Sequence, residues 1–156
     1  MTDCEKTSEL LDKKYELFLE YETQSRLALQ ADDDDIDNYI TKRGDIANII
    51  DEQSAEINNI CTKPCNAKLA QAAFCTGDYS EIAQEYIYIY DKASKIYAVL
   101  SRIDELNIEL TAMLESKKEH LRKRLAATKN TPKIARYLNT LKGTPSSGDY
   151  MGDKTT

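Results

Sequence analysis

The stretch from Asp78 to Ala126 constrains the chain most. One seam runs through it: Ile82, Tyr86, Ile89, Ala93, Ile96, Leu100, Ile103, Asn107, Leu110, Leu114, Lys117 and Leu121. The steps alternate four and three without a slip, giving a heptad seam with a mean period of about 3.5. Neither Gly nor Pro interrupts it. At the helical rise such an element is about 70 Å long. A helix of that length cannot bury its seam alone, so other parts of the chain or a partner must cover it.

Two further helical patterns precede it. Thr2 and Glu5 have capping-box spacing and open a first helix. Leu10, Leu11, Tyr15, Leu17, Phe18, Tyr21, Leu27 and Leu29 form its apolar stripe, which fades near Gln30. Asp32-Asp33-Asp34-Asp35 reads as a turn and N-cap, where carboxylates favour the helix dipole. It lacks the alternating ligands, Gly and closing Glu of a calcium loop. The second helix runs from about Asp35 to Thr62 on the seam Ile36, Ile40, Arg43, Ile46, Ile50, Gln53, Ile57 and Ile60. Lys63-Pro64 ends it, since the residue before Pro avoids helical backbone. Residues 65–75 suit a short connecting helix, or a kinked extension of the second helix resuming after Pro64; Asp78 and Glu81 then cap the long one. Beyond Ala127, Pro132 starts a short helix with Ile134, Tyr137, Leu138 and Leu141 on one side. The sequence therefore predicts an all-α chain: an elongated antiparallel bundle or coiled coil of three main helices, the third much the longest. Residues 1–142 form one domain, and residues 143–156, rich in Gly, Pro, Ser, Asp and Thr, form a disordered tail.

Helices one and two, each about 28 residues by these boundaries, cover only the first part of the long helix. The uncovered part is expected to begin near Leu106. It carries Leu106, Leu110, Met113, Leu114, Leu121 and Leu125, and leads into Lys117, Lys118, Arg122, Lys123 and Arg124. An exposed stripe of this kind marks an interaction surface. A client protein, a second copy with Asn107 setting its register, or the segment from Pro132 to Leu141 folding back could each cover it.

Charge is uneven: net −6 for the chain, with −13 over residues 1–116 and +8 over residues 117–142. The basic segment could meet phosphates, but the acidic body repels a long polyanion and only Tyr137 offers a stacking ring there. Neither nucleic acid nor direct membrane insertion is expected, and no apolar run approaches the roughly 20 residues that span a bilayer. The N-terminus lacks a basic stretch followed by an apolar one, so a cytoplasmic protein is expected. Cys4, Cys61, Cys65 and Cys75 lack paired knuckle spacing and a nearby His, which favours reduced thiols over zinc. The one His, His120, lies among charged residues, and there is no Gly-rich phosphate loop. No catalytic set, metal or cofactor is expected.

The arrangement resembles the FlgN family of flagellar type III export chaperones. The residues that carry the resemblance are Tyr15-Glu16-Leu17-Phe18-Leu19, the second helix from Asp35 to Arg43, Ile103 to Leu110 followed by the basic run to Arg124, and Lys133-Ile134-Ala135-Arg136-Tyr137. The resemblance implies a small, acidic, helical cytoplasmic chaperone without enzymatic activity. It would escort secreted hook-filament junction (hook-associated) proteins to a membrane export gate. Carried over, client contact falls on Leu106, Leu110, Met113, Leu114, Leu121 and Leu125, and gate docking on Tyr137. The cysteines, the Lys63-Pro64 break and Pro132 near the tyrosine depart from the family's pattern. The alternative is a homodimeric coiled-coil adaptor without an export client.

Overall fold

A computed structural model of the chain describes residues 1–128. The expected short helix from Pro132, the tail and Tyr137 lie outside the described residues. Among the described residues there are four α-helices and no strand. They are α1 (Asp3–Gln30), α2 (Asp33–Cys61), α3 (Ala67–Ala73) and α4 (Ile87–Thr128). The chain divides into two compact units, Met1–Leu110 and Thr111–Thr156.

Local chemistry sets most of the boundaries. Thr2 closes the capping box that opens α1: its hydroxyl accepts from the Glu5 N–H at 3.1 Å, and the Glu5 carboxylate accepts from the Thr2 N–H at 2.8 Å. Asp32 takes the N-cap position of α2 without a side-chain cap, and Asp33, Asp34 and Asp35 fill the first turn, aligned with the helix dipole. Lys63 is extended (φ −65°, ψ 135°), as expected of a residue before Pro, and Pro64–Asn66 forms a 3-10 turn that leads into α3. After α3 the chain reverses through two positive-φ residues, Cys75 at 51° and Gly77 at 84°. A Cβ at Gly77 would also lie 3.2 Å from the Gln71 amide nitrogen.

The long helix starts later than the sequence predicts. The Asp78–Glu81 capping box does form, but it closes a single 3-10 turn, Tyr79–Glu81. Ile82 (ψ 132°) and Ala83 (ψ 136°) are extended, and a second 3-10 turn, Gln84–Tyr86, precedes α4. The helix begins at Ile87, nine residues after Asp78. Ile82 keeps its place in the core although it stands outside the helix.

Unit Met1–Leu110 is built on α1, α2, α3 and the first part of α4. Ion pairs Lys6–Glu56 (3.6 Å) and Lys63–Asp3 (3.1 Å) show that α1 and α2 run antiparallel. Lys92–Asp12 (2.6 Å) and Arg102–Glu22 (2.7 Å) show that α1 and α4 run parallel. Thr7, Ser25 and Ala28 are fully buried on α1, small enough for close helix approach. The Thr7 and Ser25 hydroxyls donate to the carbonyls of Asp3 and Tyr21, so neither leaves a polar group unpaired. Leu10, Leu11, Ile57, Leu69, Ile89 and Ile96 meet in the main core. Each fully buried Leu or Ile contributes about 1.5–3 kcal/mol of transfer free energy.

Candidate interaction surface

The seam of α4 is polar at Asn107, and the seam of α2 is polar at Arg43. The structure brings these two positions together. One Arg43 nitrogen (Nη2) donates to the Asn107 side-chain oxygen at 2.6 Å and to the Tyr21 hydroxyl at 2.7 Å. The guanidinium also stacks on the Tyr21 ring, 4.7 Å from its centroid. This polar layer ties α1, α2 and α4 at one level and engages Asn107 within its own chain. Asn107, expected to set the register of a second copy, thus has an acceptor contact within its own chain. A polar residue at a heptad position on each of two helices was the sequence signal for the layer.

A second polar group had no sequence signal. Glu22 is buried on α1 and accepts two hydrogen bonds from Arg102 of α4, at 2.7 and 2.9 Å, and one from Arg26 at 3.0 Å. The Arg102 hydrogen bonds hold the Glu22 carboxyl at about 2, against an ordinary 4.5, with Arg26 adding to the effect and burial opposing it. The fork geometry of Arg102 on one carboxylate is the strong, orientation-specific kind of pair.

The expected contact residues divide into two groups. Leu106 and Leu110 are buried, at 5% and 2% exposure, inside unit Met1–Leu110. The uncovered stripe therefore does not begin at Leu106. The reason is the late start of α4, which shifts the covered stretch of the helix toward its C-terminal end. Met113, Leu114, Leu121 and Leu125 are half-buried. They fall on one helical stripe, with Met113, Lys117, Leu121 and Leu125 at four-residue steps and Leu114 three residues before Lys117. Lys117 and Lys118 are half-buried, whereas Arg122, Lys123 and Arg124 are exposed. Over Thr111–Thr128 five basic residues stand against two acidic ones, a net charge of +3. The segment thus carries a half-buried apolar stripe on a helix of net positive charge.

The other chemistry-bearing residues are dispersed. All four cysteines are free thiols. Cys4 Sγ lies 2.9 Å from the Tyr88 hydroxyl, and this contact is the main cause that pushes the tyrosine up to about 12. Burial raises the Cys61 thiol above its ordinary value. Among the described residues no group of three His, Cys, Asp or Glu side chains could hold a metal ion. His120 is exposed on α4. Among the described residues no helix is long and apolar enough to cross a membrane.

No protein-family model, curated protein or solved structure matches the chain.

Proposed function

We propose that the chain is a flagellar type III export chaperone without enzymatic activity, which binds hook-filament junction proteins in the cytoplasm and delivers them to the membrane export gate. The observation that carries this reading is the basic, amphipathic second part of α4. Met113, Leu114, Leu121 and Leu125 offer an apolar stripe suited to an amphipathic helix of a client, with exposed Arg122 and Arg124 next to it. The resemblance to the FlgN family supplies the kind of client and the gate-docking role of Tyr137. In this reading α1, α2 and α4 form a three-helix bundle, and the client contact rests on the four half-buried residues. Leu106 and Leu110 are closed off in the core and leave the contact surface.

Coexpression with a hook-filament junction protein tests it. Leu114→Asp with Leu121→Asp should abolish co-purification of the client while the helical circular dichroism stays unchanged. Co-purification equal to that of the wild type removes the stripe from the site. A tight dimer that buries the same stripe in sedimentation, with no affinity for the client, would support the homodimeric coiled coil instead.

A further inference from the structure

Lys14 of α1 lines a small cleft in unit Met1–Leu110, of about 50 Å³. Buried Ile57, Ala73, Ala93 and Ile96 form its walls, and the exposed rings of Phe74 and Tyr97 stand at its edge. The Lys14 side chain is half-buried, and among the described residues it makes no hydrogen bond or ion pair. Burial lowers its pKa below the ordinary lysine value, opposed only by the charge of Asp51. An amine desolvated beside apolar walls keeps a larger neutral, nucleophilic fraction than an exposed one. The cleft is far below the roughly 300 Å³ of a site for a whole small molecule. It has room for a short hydrocarbon tail.

We propose that Lys14 is a selective acylation site, taking short aliphatic acyl groups from acyl thioesters, with the acyl chain seated in the adjoining cleft. The amine lone pair attacks the thioester carbonyl and forms the C–N bond. The C–S bond breaks, the thiolate leaves with its electron pair, and the nitrogen gives its proton to water. The product is a neutral amide whose chain lies against Ile57 and Ile96. Acylation thus removes a half-buried charge and fills apolar space in one step. The site lies on unit Met1–Leu110 and is independent of the client stripe.

Lys13 is the internal control, because it neighbours Lys14 on the same helix and is exposed. The full chain is incubated with acetyl- and butyryl-N-acetylcysteamine, treated with hydroxylamine to strip cysteine thioesters, and digested for mass spectrometry. Lys14 should label at least tenfold faster than Lys13, and the ratio should rise from acetyl to butyryl. Tyr97→Ser, at a ring 50% exposed and so outside the core, should lower the butyryl preference at Lys14 without unfolding the protein. Equal labelling of Lys13 and Lys14 overturns the proposal. So does a Lys14 rate without chain-length preference, or a preference that Tyr97→Ser leaves unchanged.

Discussion

Glu22→Gln keeps the shape of the side chain and removes the charge that Arg102 and Arg26 hold. A carboxyl at about 2 rather than 4.5 in the folded state corresponds to an upper bound of about 3 kcal/mol. The Arg102 side chain is 46% exposed, so solvent screens part of this, and the Gln oxygen still accepts a hydrogen bond. The expected loss at neutral pH is about 1–2 kcal/mol. Its pH dependence has a definite sign. Because the folded-state value is depressed, the stabilisation is fully present above about 4.5 and is lost as pH falls toward about 2. At pH 3 less than about half of the difference between wild type and variant should remain. Urea denaturation followed by circular dichroism, for both proteins between pH 7 and pH 3, measures that difference directly. A gap under about 0.5 kcal/mol at neutral pH, where paired and unpaired carboxylates differ most, refutes the role of Glu22. A gap that does not narrow on acidification refutes the ionic cause.

Other substitutions probe separate features. A Cβ at Gly44 meets nothing within 4 Å, so Gly44→Ala should stabilise α2 by about 0.5–1 kcal/mol, seen as a higher urea midpoint. Gly77→Ala should destabilise by about 1 kcal/mol or more, because the left-handed backbone and the contacts to Gln71 and Glu81 both oppose a side chain. Arg43→Leu should cost about 2 kcal/mol by leaving Tyr21 and Asn107 without their donor. Adding Asn107→Leu should recover part of it, and a double-mutant cycle that is strictly additive would contradict the polar layer.

The heptad seam made the helical character of the chain legible, and none of its twelve positions is exposed in the structure. The start of the long helix was not legible, although the capping residues were correctly paired. Periodicity marks which positions are apolar, and Ile82 satisfies it while standing in extended backbone. A capping box fixes one turn only; the 3-10 geometry of that turn and the extended pair after it decide whether a helix continues. From that one boundary follows the misplaced edge of the uncovered stripe, since Leu106 and Leu110 fall within the reach of the shifted helix. A glycine inside a helix such as Gly44 can serve close packing or simply be tolerated, and its open surroundings favour tolerance. Glu22 and Arg102, 80 residues apart, share no spacing rule that links them, and only the parallel alignment of α1 and α4 brings them together.

The claim that the second part of α4 holds a client is met most directly by calorimetry. The full chain is titrated with the purified amphipathic end segment of a hook-filament junction protein. Saturable binding with a negative heat-capacity change is expected, as apolar surface is buried. Leu114→Asp with Leu121→Asp should weaken it by about a hundredfold or more, consistent with losing two apolar contacts of about 1.5–3 kcal/mol each. No heat of binding to the wild type, or equal affinity of the double variant, would contradict the account.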